Sequence, residues 1–183
     1  MMTNIQATDV EGVRVTDSKS ASDSRGTFMK IQPSQEFQEG SDSVAASINP
    51  RAGTIRGLHF QIEPYAEEKI VTCIQGAIFD VIIDIRPNSK TFGKCATFEL
   101  SAANGLQAYL PKGIAHGFQT LQDDTIVHYC LSANYSPNSS FSINPFGQLG
   151  INWPLQKYSI SEKDSGGISF SIAVEKYDKA LES

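Results

Sequence analysis

Positive charge, cysteine and histidine are all scarce in this chain. Lysine and arginine together number 15 against 20 aspartates and glutamates, a formal net charge of −5. That balance excludes nucleic-acid binding through an overall positive field, yet leaves room for a local basic cluster that holds phosphate. The three cysteines, Cys73, Cys95 and Cys130, are odd in number, widely spaced and each set in an apolar run. They fit reduced core residues of a cytoplasmic protein better than a disulfide framework or a zinc site. Long apolar runs are also missing: stretches such as Ile78-Phe79 and Val81-Ile82-Ile83 are far too short to span a bilayer, so no membrane partner is expected. The segment Met1-Met2-Thr3-Asn4-Ile5-Gln6 has neither a basic nor an apolar leader character, so secretion is not expected. No repeat, low-complexity tract or long linker interrupts the 183 residues, which read as one soluble domain over 1–183.

What the chain does have is alternation. Period-2 patterning and β-branched runs predict strands near 13–17, 26–32, 43–49, 53–61, 68–76, 78–86, 94–101, 106–110, 115–122 and 124–132. Turn residues punctuate them at Gly53, Gly76, Pro87-Asn88-Ser89, Asn104-Gly105, Pro111-Lys112-Gly113 and Asp123-Asp124. Short strands at this spacing indicate an all-β sandwich or jelly roll and not a parallel α/β sheet. Residues 136–150 read as polar loop, and 174–181 as a short amphipathic helix.

Two of the only three histidines sit in glycine-containing runs inside this β sequence. They are Arg56-Gly57-Leu58-His59-Phe60-Gln61 and Pro111-Lys112-Gly113-Ile114-Ala115-His116-Gly117-Phe118. Imidazole exchanges a proton near neutral pH without help, so a basic, glycine-rich setting inside a β structure is where chemistry is expected. A lone core histidine is more often a packing residue. His128 precedes Tyr129 by one position and should face the other side of its strand, which makes it non-catalytic.

These runs resemble the dTDP-4-dehydrorhamnose 3,5-epimerase family of nucleotide-sugar epimerases. The resemblance covers about residues 13–170. It continues through Glu68-Lys69-Ile70-Val71, Gly76 to Val81, Asp84-Ile85-Arg86, Ser89 to Gly93, Tyr129, Tyr135, Ile151-Asn152-Trp153-Pro154 and Ser161-Glu162-Lys163-Asp164. It implies a cupin-like jelly roll (a double-stranded β-helix) with short peripheral helices. It further implies a homodimer, a nucleotide-sugar substrate, and no metal or organic cofactor.

The chemistry of such a substrate explains the residue types. A 4-keto sugar is acidic at C3 and C5 because either carbanion is an enolate of the C4 ketone. Inversion needs a base on one face, a group that stabilises the enolate oxygen, and an acid on the other face. By resemblance His59 is the base, Asp164 fixes its tautomer, Lys69 faces the C4 oxygen and Tyr129 returns the proton. His116, Arg56 and Gln61 complete the substrate wall. Arg25, in Asp23-Ser24-Arg25-Gly26, reaches the diphosphate from the partner subunit, and Tyr135 stacks on the nucleobase. Taken without the resemblance, Lys69 after Glu67 and Glu68 reads as a solvated strand start with surface ion pairs. Trp153-Pro154 reads as packing.

Two departures from the family pattern stand out. Counted back from Gly53 without a gap, the family's glutamine, asparagine and serine positions fall on Val44, Ala46 and Ile48, so those hydrogen bonds are either missing or supplied by Ser47, Asn49 or Arg51. Five residues after Arg25, where the family has a glutamate against the thymine edge, this chain has Lys30, which can only donate. A CDP- or GDP-linked sugar, or inversion at one carbon, is therefore kept beside the dTDP reading. A metal-dependent cupin is a rival from another class, but Gln61 stands where a second histidine ligand would fall, leaving only His59, His116 and Glu67 or Glu68. A sugar-binding protein without catalysis is a further one.

Overall fold

The computed structural model describes residues 5–31 and 43–182. Thirteen strands follow in chain order: β1 Ile5–Ala7, β2 Arg14–Asp17, β3 Lys19–Asp23, β4 Gly26–Lys30, β5 Ser43–Asn49, β6 Ile55–Gln61, β7 Lys69–Gln75, β8 Ala77–Asp84, β9 Cys95–Ser101, β10 Leu106–Leu110, β11 Ile114–Thr120, β12 Thr125–Leu131 and β13 Ser140–Ser142. Two helices close the chain, α1 Glu162–Ser165 and α2 Phe170–Leu181. Antiparallel pairing builds a six-stranded sheet, β1-β2-β10-β7-β12-β5, and a five-stranded sheet, β13-β6-β11-β8-β9, with β3 and β4 as a separate hairpin. The fold is the all-β, cupin-like jelly roll with peripheral helices that the sequence led us to expect.

Each strand predicted from alternation has its counterpart, although residue 32 of the predicted 26–32 strand lies outside the described residues. The additional strands β1, β3 and β13 are three to five residues long, too short for a period to register. Within the predicted 136–150 loop, Ser140, Phe141 and Ser142 pair with Gln61, Phe60 and His59. Helix α2 begins four residues before the predicted start, where the Ser169 side chain accepts a hydrogen bond from the Ile172 N–H.

The sheets differ in what covers them. Between them lie Val15, Val71, Cys73, Ile78, Ile82, Leu100, Ala108, Leu110, Phe118 and Val127. The other side of the five-stranded sheet is also buried, because Val81, Ile83, Ala115 and Ile143 pack against Ala173 and Tyr177 of α2. That is why β8 reads Ala-Ile-Phe-Asp-Val-Ile-Ile-Asp, almost continuously apolar. Trp153 belongs to this second cluster: its indole packs edge-on to Phe79 and its N–H donates to the Pro145 carbonyl. The family-like residues Asp84, Arg86, Ser89 and Thr91 are structural as well. Asp84 is fully buried and accepts hydrogen bonds from the other three, pinning the turn after β8. Cys73, Cys95 and Cys130 are unpaired, and burial pushes the Cys73 thiol up to about 11. Among the described residues no helix is long and apolar enough to cross a membrane.

Candidate active site

The two histidine runs are adjacent strands. β6 and β11 pair antiparallel, with His59 and His116 as direct Cα partners and a bulge between His116 and Phe118. Glycine makes this approach possible. A Cβ added to Gly57, whose φ is +113°, would lie 2.5 Å from the Gly117 Cα, and one added to Gly117 would lie 2.6 Å from the Arg56 carbonyl oxygen. Residues directly opposite on antiparallel strands share a face, so both imidazoles turn into one cavity.

That cavity, of about 280 Å³, is lined by His59, His116, Arg56, Lys69, Tyr129, Gln61 and Tyr135. Strands from both sheets therefore supply its walls. His59 bonds through Nε2 to Asp164 Oδ1 at 2.7 Å, and its side chain is 39% exposed against 7% for Asp164. The aspartate comes from α1, a single turn whose Ser161 cap accepts from the Asp164 N–H. Two further donors meet its carboxylate: the Gly57 N–H at 3.1 Å and the Ser142 hydroxyl at 2.9 Å. Burial alone would raise the Asp164 carboxyl, but His59, Gly57 and Ser142 outweigh it and hold it down to about 2. It is thus an anion that accepts the His59 Nε2–H and leaves Nδ1 as the free ring nitrogen.

Lys69 opens β7 and is only 8% exposed; its ammonium lies 3.0 Å from Glu67 Oε1. The pair is buried at the cavity wall and is not a solvated surface pair. Tyr129 of β12 has its hydroxyl 3.4 Å from Ser47 Oγ. Burial pushes its phenol up, against the Ser47 hydrogen bond, and the charge of Asp80 adds to the rise. A tyrosine of that kind holds its proton, as a donor should. Arg56 donates through Nε to Asn49 Oδ1 at 2.8 Å. Tyr135 is 63% exposed at the cavity mouth, with the Lys163 ammonium 5.8 Å from its ring centre. Gln61 is 4% exposed, and its amide is engaged by backbone on every side. Nε2 donates to the Tyr65 and Asn134 carbonyls, and Oε1 accepts from the Ser136 N–H.

Asp164 stands behind His59 and does not itself line the cavity, and two further candidate residues lie away from the site altogether. Arg25 sits at the tip of the β3–β4 hairpin with 88% of its side chain exposed, bonded to Asp23. Lys30 ends the same hairpin, opposite Lys19 and exposed. His128 lies on the far face of β12, opposite Ala46 and Thr72, and does not line the cavity.

The register of β5 needs correction. Ser47 and Asn49 turn inward to Tyr129 and Arg56, so alternation sends Val44, Ala46 and Ile48 to the outer face. Val44 and Ile48 are accordingly 65% and 70% exposed. A one-residue slip exchanges the faces of a strand, and that is the difference between the Val44, Ala46, Ile48 set and the set that holds Ser47 and Asn49. Of the two, Ser47 lines the cavity, while Asn49 is fully buried and holds the Arg56 guanidinium. Glu67, considered from sequence only as a surface ion-pair partner or a metal ligand, lines the cavity, as do Lys163 and Ser140, which had no expected role there. The two-residue spacing of Glu67 and Lys69 was the available signal for the first of these. Among the described residues no group of three or more His, Cys, Asp or Glu is placed to hold a metal ion.

The family model for dTDP-4-dehydrorhamnose 3,5-epimerase matches residues 7–171. The dTDP-4-dehydrorhamnose 3,5-epimerase of Sinorhizobium fredii is 39% identical over 167 residues, covering 87% of this chain and 86% of that protein. A crystal structure of the Legionella pneumophila dTDP-6-deoxy-D-glucose-3,5-epimerase, in complex with dTDP-4-keto-L-rhamnose, superposes with a TM-score of 0.88 at 31% identity, covering 96% of this chain and 97% of the other. A crystal structure of a 3'-monoepimerase from Streptomyces bikiniensis, in complex with dTDP-quinovose, gives 0.84 at 28% identity, over 97% and 95%.

Proposed function

The chain belongs to the dTDP-4-dehydrorhamnose 3,5-epimerase family, and from that premise we propose that it epimerises a dTDP-linked 4-keto-6-deoxy sugar at C3 and C5 through an enolate. The observation that carries the reading is the convergence in one cavity of a carboxylate-backed imidazole, an ammonium and a high-pKa phenol. In this scheme the bare Nδ1 of His59 removes the proton from C3 or C5, and the C–H electron pair passes into the C4 carbonyl. Asp164 stabilises the imidazolium that forms, in the manner of carboxylate–histidine pairs generally. The Lys69 ammonium meets the charge that develops on the C4 oxygen. Tyr129 then gives its proton to the opposite face of the carbon, the enolate collapses to the ketone, and solvent resets both groups. Base, acid and oxyanion partner all come from side chains, so the scheme uses no metal or organic cofactor.

A cavity this size takes the sugar ring, and the nucleotide lies across the mouth, where Tyr135 stacks on the base and Arg56 and Lys163 face the diphosphate. Arg25 and Lys30 join the site only if the β3–β4 hairpin reaches a second copy. Two features support a homodimer of that kind. Phe28 on the hairpin is 72% exposed, and Val44, Ile48 and Ile74 are exposed apolar side chains on the six-stranded sheet. The unpaired cysteines fit a cytoplasmic enzyme acting as one domain.

The test is NMR in D2O with dTDP-, CDP- and GDP-4-keto-6-deoxyhexoses, following which ring proton washes out. Loss of both the C3 and C5 protons with the dTDP sugar is expected. Washout at one carbon only, or preference for another nucleotide, narrows the reading accordingly. No washout with any of them overturns it.

A further inference from the structure

A second histidine–aspartate pair faces the same cavity. His116 Nε2 lies 2.8 Å from Asp80 Oδ1. Asp80 stands on β8 and is completely buried, and His116 is 4% exposed. The two pairs differ in what else holds the carboxylate. Asp164 has three donors, from His59, Gly57 and Ser142. Asp80 has His116 alone, and its Oδ2 is buried without a hydrogen-bond partner.

We propose that Asp80 is a positioning residue that makes His116 Nδ1 a constant N–H donor into the cavity, so that His116 gives a hydrogen bond while His59 takes a proton. A carboxylate anion buried with one donor and no charge partner is costly, so the pair must hold enough protons to be neutral. Neutrality requires two protons over Asp80 and the imidazole. If both sit on the ring, Nδ1 carries one. If the first is on Oδ1 and donates to Nε2, the second is again on Nδ1. The remaining arrangement places a proton on Oδ2, where no acceptor lies within reach, and forfeits a hydrogen bond. In both favoured states Nδ1 bears hydrogen. Burial raises the Asp80 carboxyl while the charge and hydrogen bond of His116 oppose the rise, in keeping with a shared proton. Asp164, solvated by its extra donors, has no need of a second proton on His59. What the His116 N–H meets rests on the function proposed above: an acceptor oxygen of the sugar or the diphosphate.

The experiment is long-range proton–nitrogen NMR of the imidazoles in 15N-histidine-labelled, ligand-free wild type at about pH 8. Only three ring systems occur, and His116→Gln and His128→Gln assign them. We expect the His116 Nδ1 to show the protonated-nitrogen signature and the His59 Nδ1 the bare one. A bare Nδ1 on His116 overturns the proposal, whether or not the protein proves to be an epimerase. Affinity gives the second arm. His116→Gln and Asp80→Asn should each weaken nucleotide-sugar binding about tenfold, and the double variant no further, because the aspartate acts through the histidine. Additive losses would mean that Asp80 supports the fold alone and would also overturn it.

Discussion

His59 and His116 stand opposite one another across β6 and β11, and each gives its Nε2 to a different aspartate, Asp164 at 2.7 Å and Asp80 at 2.8 Å. The Asp164 carboxylate is the one with several donors, which marks His59 as the base. His59→Ala should fold and lose solvent exchange at both ring carbons by a factor of about 100 to 10,000, the usual contribution of a positioned acid or base. Asp164→Asn should cost less, since the imidazole remains but loses its tautomer control and the anion behind it. Deuterium washout rates, with circular dichroism as the fold control, check both. Near wild-type exchange in His59→Ala would remove the base assignment.

Tyr129→Phe should separate proton removal from proton return. The variant keeps His59, Asp164 and Lys69, so deuterium should still enter the substrate and return to the face from which hydrogen left. Net inversion should fall much further than exchange. Parallel loss of the two rates would make Tyr129 a group that positions the sugar, and a full inversion rate would exclude it as the acid.

How far the sequence could be read follows from where the physical signal was local. The two histidine strands were legible because alternation and glycine punctuation are short-range, and the inward-facing core of β7 and β12 follows from the same period. The faces of β5 were not legible. Only pairing with β12, in which Asn49 meets Thr125 and Ala45 meets Tyr129, shows that Ser47 and Asn49 look inward. No sequence period connects Asp164 to His59, 105 residues apart, so that contact was expected only from family resemblance. Asp80 was hidden inside the apolar run of β8, where one polar residue among valines and isoleucines gives no hint of a histidine across the ladder. Arg25 and Lys30 had no visible destination either, since neither lines this chain's own cavity.

The depressed Asp164 carboxyl sets an acid limit on stability. Its folded-state value of about 2 lies below the ordinary 3.8, so the group favours the folded state above pH ~4 and loses that contribution as pH falls towards 2. The size is on the order of 2 kcal/mol, from the linkage between pKa shift and free energy. Asp80 runs the other way: its carboxyl is raised, so the folded state is favoured more at low pH than at neutral pH. Urea unfolding from pH 7 down to pH 2 should therefore show a steeper acid loss in wild type than in Asp164→Asn. It should show a steeper loss still in Asp80→Asn, which lacks the opposing slope. Superimposable curves for wild type and Asp164→Asn would mean that the carboxylate is not held by its three donors in solution.

Gln61 offers a last prediction, because its amide ties two loops and not a ligand. Nε2 bonds to the carbonyls of Tyr65 and Asn134, Oε1 accepts from the Ser136 N–H, and Tyr135 lies between the last two of these. Replacing the side chain by Gln61→Leu fills a similar space but leaves those buried backbone groups without partners, at about 1–3 kcal/mol for an unsatisfied group. The segment that carries Tyr135 should then lose its fixed position at the mouth, while His59, Lys69 and Tyr129 stay on their strands. We expect KM for the nucleotide sugar and Kd for the free nucleoside diphosphate to rise together by about tenfold or more. The turnover rate at saturation should change much less. Steady-state kinetics paired with isothermal titration of the nucleoside diphosphate separates the two parameters. If kcat fell while nucleotide affinity held, Gln61 would be touching the sugar directly, as the family resemblance first suggested.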